Sequence, residues 1–216
     1  MSYDNAYKKT SSYFGDDPTD ILRDHYMKID TSRRILDIGA GQGRNALFLA
    51  RNGFAVDAID PAAEGLRQIQ EIATKESLKI ETIVTGFREF TADNAPYSAI
   101  LLFGIIQILS WPDIHDLIAR INNWTQPDSL LFISAFSTAD PAFAKGIKEH
   151  PSDGNNSYII KNGERRTFLE PNEILTLFPN FTVIEHTEEL GPMHNHGDGD
   201  EHRHGLIHFV GKKSKE

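Results

Sequence analysis

Ile35-Leu36-Asp37-Ile38-Gly39-Ala40-Gly41-Gln42-Gly43-Arg44-Asn45 decides how the rest of the chain is read. An apolar run delivers an aspartate, then three glycines at alternate positions, then Ala46-Leu47-Phe48-Leu49-Ala50, which continues as a helix. Strand, glycine turn and helix form the unit that places a nucleotide-like ligand at the carboxyl ends of an open α/β sheet. Glycine suits such a turn because it accepts positive φ and lets a ligand approach bare backbone.

Outward from this stretch, strands and helices alternate. Asn52-Gly53 stops the first helix. Phe54 to Asp60 reads as a second strand ending in an acid, and Pro61 opens a helix with Leu66, Ile69, Ile72 and Ala73 on one face. Ile80–Thr85 is a third strand, and the continuous apolar run Ala99 to Phe103 a fourth, covered on both faces. Pro112 starts a helix carrying Ile114, Leu117, Ile118 and Ile121; Gln126-Pro127-Asp128-Ser129 then turns the chain into Leu130 to Ala135. Residues 136–170 are polar and turn-rich, an excursion over the working edge. A short helix spans Pro171 to Phe178. Phe181 to Glu189 and Leu206 to Lys212 read as closing strands, joined by a loop too short for a helical crossover and therefore antiparallel. The expected fold is a single α/β domain over 1–216, a Rossmann-like seven-stranded sheet, mostly parallel with an antiparallel final strand, helices on both faces.

The bulk numbers set the class. A formal charge of -9 without a long basic run argues against nucleic acid and anionic membrane partners. The absence of cysteine excludes disulfides and thiolate chemistry. No apolar stretch approaches the roughly twenty residues of a membrane span. With no signal-like N-terminus, a cytoplasmic monomer or homodimer is expected.

The ligand follows from the turn. A dinucleotide fingerprint needs glycine where Arg44 stands; the pattern here is Asp-x-Gly-x-Gly-x-Gly, from Asp37 to Gly43. S-adenosylmethionine offers an ammonium that Asp37 can hold, and ribose hydroxyls that an acid ending the second strand, Asp60, can accept. A Rossmann-like domain with another ligand is the competing reading. The whole chain resembles the class I S-adenosylmethionine-dependent methyltransferases. Residues 36–60 are similar to the tellurite-resistance methyltransferase group, with its G-x-G-R-N-[SA]-L-[YF]-L-A core and following N-G-[YF]-x-V-x-A-x-D. That resemblance implies methyl transfer by in-line displacement to a small-molecule or metalloid acceptor, a chalcogen oxyanion or thiol-like group. It implies a cofactor site of Asp37, Gly39, Ala40, Gly41, Asp60 and Pro61, with Gly86 and Phe87 near adenine and Phe103 beside the methionine moiety. Two departures stand out. The acid that related enzymes place after the third strand is replaced by Thr85-Gly86-Phe87-Arg88, and the Tyr/Phe-Asp opening the fourth strand by Tyr97-Ser98. The alternative function is a non-catalytic module that senses S-adenosylmethionine or metal.

Six of the nine histidines fall between residues 186 and 208. The loop 190–205 admits three readings: a solvated tip; a divalent transition-metal site using His194, His196, His202 and His204; or an acceptor site in which His202 or His204 is the base and Arg203 meets an anion. Arg165 and Arg166 are further anion candidates, Gln107 faces the acceptor, and residues 1–30 form an arm or lid contacting ligand through Tyr13 and Phe14.

Overall fold

The computed structural model describes residues 3–193 and 201–215. Its centre is a seven-stranded sheet: β1 (Ile35–Ile38), β2 (Val56–Asp60), β3 (Ile80–Val84), β4 (Tyr97–Phe103), β5 (Thr125–Phe136), then, beyond a two-stranded hairpin of β6 (Ser157–Ile159) and β7 (Arg165–Thr167), β8 (Phe181–Leu190) and β9 (Gly205–Lys213). The order is β3-β2-β1-β4-β5-β9-β8. Strands β1 to β5 pair in parallel, whereas β9 is antiparallel to both its neighbours. The last strand in sequence therefore lies inside the sheet, between β5 and β8, as the short closing connection requires.

Helices cover both faces because strand residues alternate between them. Leu36, Ile38, Ile100, Leu102, Leu131 and Phe209 pack beneath α5 (Trp111–Trp124) and α7 (Glu173–Leu177). Ile35, Ala58, Leu101, Phe132 and Val210 pack beneath α2 (Asp20–His25), α3 (Arg44–Arg51) and α4 (Ala63–Glu76). Ser110 caps α5 by accepting from the Asp113 N–H at 3.3 Å, with Pro112 in the first turn.

Three details depart from expectation. Gln126 to Ser129 is no turn between elements. Asp128 takes φ +72°, and β5 already begins at Thr125, paired with Tyr97, before the register shifts and Ala99 meets Leu130. The excursion after β5 contains α6 (Phe143–Glu149) and the β6/β7 hairpin, held by rings rather than by pattern: Tyr158 lies 5.6 Å from Phe168, and Phe168 5.8 Å from Phe136. The N-terminal arm also has a first helix, α1 (Asp4–Tyr7). At the amino ends of the central strands, buried Asp57 accepts from Arg34, from Asn94 at 2.9 Å and from the Tyr97 hydroxyl at 2.9 Å. Ser98, in place of the family acid, donates to the Arg33 carbonyl at 3.1 Å.

His208, on β9, carries a pH dependence. Burial holds its imidazole below the usual 6.5, against the opposing charges of Glu189, Glu185 and Asp20. The unfolded chain takes up this proton first. Its contribution to stability is complete above about 6.5 and is lost as the pH falls below it. In denaturant unfolding at pH 8 and 5, His208→Gln should therefore gain stability relative to the wild type as the pH falls; a difference between the two proteins that does not change with pH refutes the assignment.

Candidate active site

The carboxyl ends of β1, β2, β3 and β4 border a cavity of about 210 Å³ lined by Ile38, Gly39, Ile59, Pro61, Thr85 to Glu89, Ile105, Ile108 and Leu109. Its walls are the loops that follow parallel strands, where ligands bind in open α/β sheets. Of the residues expected at the cofactor, Gly39, Pro61, Gly86 and Phe87 line this cavity. Asp37, Ala40, Gly41 and Asp60 belong to the strand ends and turn beside it. Phe103 packs instead with the core under α2, α3 and α4.

Asp37 and Asp60 play unequal parts. Asp60 Oδ2 accepts the Gly41 N–H at 2.9 Å and its Oδ1 the Ala62 N–H at 2.7 Å, so this carboxylate fastens the glycine turn to the end of β2. Burial raises its carboxyl above the ordinary range, although those two donors oppose the shift. Asp37 is buried, and its Oδ2 has no hydrogen-bond partner. Burial, with the like charge of Asp60 added, pushes Asp37 up to about 7; Arg44 pulls the other way. A buried carboxylate oxygen without a protein donor is costly.

The glycines of the turn have φ of +73°, +55° and +85° at 39, 41 and 43. The space a Cβ would need is taken by protein: Ile105 at Gly39, the Tyr7 hydroxyl at Gly41 and Ile69 at Gly43. Each glycine thus also lets the turn pack closely against protein. Gly65, in the first turn of α4, is a further contact the sequence reading missed. A Cβ there would stand 2.3 Å from the Gly41 carbonyl oxygen. Its signal was a glycine inside a helical pattern.

Over the turn lies the N-terminal arm. Gln42 is its hub, accepting the Tyr13 N–H at 2.7 Å and donating to the Thr10 carbonyl at 2.6 Å and to Gln68 at 2.8 Å. Arg44 donates to the Phe14 carbonyl at 3.0 Å, Asn45 accepts the Thr19 N–H at 2.9 Å, and Asp4 accepts the Glu64 N–H at the start of α4. Tyr13 packs against Phe14 at 4.8 Å and Tyr7 at 6.3 Å. The Arg-Asn that follows the glycines thus serves to dock the arm.

On the acceptor side, Gln107 follows β4 in a 3-10 turn, its Oε1 buried without a partner. Arg165 is bound by Asp153, while Arg166, paired with Glu164 at 3.1 Å, lies within electrostatic reach of the Tyr3 hydroxyl. Arg203 is exposed. His202 and His204 stand just before β9, rings 4.9 Å apart. The sequence reading also missed Glu89, whose carboxylate folds back to within 3.0 Å of where a Gly86 Cβ would be and lines the cavity. It lies just beyond the stretch where related enzymes carry an acid. Among the described residues no group of three His, Cys, Asp or Glu side chains can hold a metal ion. That leaves His202 and His204 without a metal site there; His194 and His196 lie outside the described residues.

Residues 13–206 match the model of the family described as tellurite resistance protein TehB. The chain belongs to the TehB family. The structure of TehB from Haemophilus influenzae superposes on this TehB-family chain with a TM-score of 0.70 at 19% identity, covering 99% of this chain and 68% of that one. A Burkholderia thailandensis 1,6-didemethyltoxoflavin-N1-methyltransferase, solved with S-adenosylhomocysteine, gives 0.66 at 18% identity over 90% and 76%. A ubiquinone biosynthesis O-methyltransferase of Rickettsia akari is 27% identical over 77% of this chain. The chain spans 48% and 64% of the length of the first two curated relatives it matches. The TehB-family fold is the Rossmann-like one of class I methyltransferases, and no described helix is long and apolar enough to cross a membrane.

Proposed function

We propose that the chain transfers the methyl group of S-adenosylmethionine to a small-molecule or chalcogen-oxyanion acceptor. The observation that carries this reading is the partnerless, buried Oδ2 of Asp37 beside a cavity at the carboxyl ends of four parallel strands. Asp37 would hold the cofactor's ammonium, the remaining lone pairs of Asp60 the ribose hydroxyls, and Phe87 the adenine face. Glu89 supplies the carboxylate for the adenine amine that Thr85-Gly86-Phe87-Arg88 lacks. The bound cofactor supplies an electrophilic methyl group. The protein aligns the acceptor and excludes water, and for this the Tyr3/Tyr13/Phe14 arm over the turn is suited.

Isothermal titration calorimetry with S-adenosylhomocysteine, followed by labelled-methyl transfer to thiols, phenols, amines, selenite and tellurite, tests the proposal. Micromolar binding and turnover of at least one acceptor are expected. No binding at 1 mM, roughly the weak end of cofactor affinities, overturns it. Tight binding without turnover of any acceptor replaces it with a sensor.

A further inference from the structure

We infer that Asp140 and His204 form a carboxylate-anchored base, and that the acceptor attacks through an oxygen or nitrogen that still carries a proton. This rests on the methyltransferase reading above and narrows its acceptor.

Asp140 lies in the loop after β5, its side chain 1% exposed. Its Oδ2 receives His204 Nδ1 at 2.9 Å and the Gly205 N–H at 3.1 Å; its Oδ1 receives the Ala142 N–H at 2.8 Å. A carboxylate only accepts, so Nδ1 bears the imidazole proton and Nε2 is the basic nitrogen. The ring is fixed from its face as well, stacked on Phe136 at 4.3 Å and 25°. Glycine at 205 permits the approach, since a Cβ there would fall 2.3 Å from the Asp140 nitrogen. These residues, 64 positions apart in sequence, are joined only by the fold.

Their place is the working edge. Phe136 ends β5, two residues beyond Ser134, the partner of Phe103 at the end of β4. The neighbouring β7 reaches the cavity wall through Thr167, which donates to the Leu109 carbonyl at 2.7 Å. Among the described residues, the titratable groups facing the pair include His202 on the ring side and Tyr158 on the Asp140 side. A turn needs no carboxylate buried to this degree merely to cap Ala142, because burial of the charge costs several kcal/mol before its partners repay it.

In the step this supports, an O–H or N–H acceptor attacks the sulfonium methyl carbon while its proton passes to His204 Nε2. The new C–O or C–N bond forms as the C–S bond breaks, and that electron pair stays on sulfur as the thioether. The positive charge moves from sulfur to the imidazolium. A chalcogen oxyanion or a thiolate attacks through a lone pair and gains nothing from such a base.

The test compares the wild-type chain with Asp140→Asn and His204→Gln on phenols and amines of graded acidity and on a thiolate. Here Asp140 is a positioning residue. Its variant should lower kcat about 10- to 100-fold on weakly acidic acceptors, with the cofactor KM unchanged. The loss should shrink to none as the acceptor ionises below the assay pH. Nitrogen-15 NMR of the wild type should show His204 protonated at Nδ1, and Asp140→Asn should shift that proton. Equal losses on every acceptor, an Nε2–H tautomer in the wild type, or turnover of thiolate, selenite or tellurite alone each overturns the inference while leaving methyl transfer standing. Turnover of no acceptor overturns both.

Discussion

Asp37→Asn is expected to weaken binding of S-adenosylmethionine about 10- to 100-fold while making the ligand-free protein more stable at alkaline pH. The first effect is the loss of a charge-assisted contact to the ammonium, of the order of 1.5–3 kcal/mol. The second follows from the carboxyl's position, raised from 3.8 to about 7 by burial and by Asp60. The unfolded chain releases this proton near pH 4, whereas the folded protein keeps it until about 7. Stability of the ligand-free protein is therefore lost as the pH rises through that window, by up to roughly 4 kcal/mol above it. The uncharged amide removes this penalty. Unfolding in denaturant at pH 5 and 8 should show the variant equal to wild type, or slightly weaker, at the lower pH and more stable at the higher. In the wild type, cofactor affinity should climb as the pH passes about 7, because only the ionised carboxylate pairs with the ammonium. A variant that binds as tightly as the wild type removes Asp37 from the site.

Gly65→Ala carries the other large effect. The added methyl meets the Gly41 carbonyl oxygen at 2.3 Å and its carbon at 2.8 Å, both backbone atoms. Neither can swing aside as a side-chain tip would. The first turn of α4 must lift, or the glycine turn must move, and Asp60 holds that turn through the Gly41 N–H. A cost of about 1–3 kcal/mol in unfolding free energy is expected, together with a tenfold or greater loss of cofactor affinity. Gly65 lies within α4 and has no positive φ, so, unlike Gly53→Ala at φ +91°, its replacement carries no left-handed backbone penalty and its cost reports the close approach alone. If Gly65→Ala binds cofactor like the wild type, the helix and the turn are not coupled.

The central architecture was legible because each of the first five strands is apolar and each is followed by a helix or a polar break. Even the antiparallel β9 followed from loop length. What could not be read depends on contacts between distant segments. The β6/β7 hairpin has only three residues in each strand and stands on the Tyr158–Phe168–Phe136 stack. Gln126 to Ser129 has turn composition, yet Asp128 absorbs the irregularity within β5. At the site, Asp37 and Asp60 were visible as strand-ending acids, but their opposite hydrogen-bonding states were not. Glu89 was hidden because its carboxylate doubles back on Gly86. Asp140 carried no local signal, since an aspartate in a polar loop becomes notable only when a histidine 64 residues later lies against it.

The network on Asp57 gives the sheet two unlike ends. Where β2, β1 and β4 begin, one buried carboxylate ties together Arg34, Asn94 and Tyr97, and every member is satisfied. Where the same strands finish, positive-φ glycines and a partnerless carboxylate oxygen are held in place by packing. Durability is concentrated at one rim and readiness at the other. Polar substitutions should therefore segregate spatially: those at Asp57, Asn94 and Tyr97 lower the amount of folded protein and leave its specific activity intact, whereas Asp37→Asn leaves abundance intact and weakens cofactor binding.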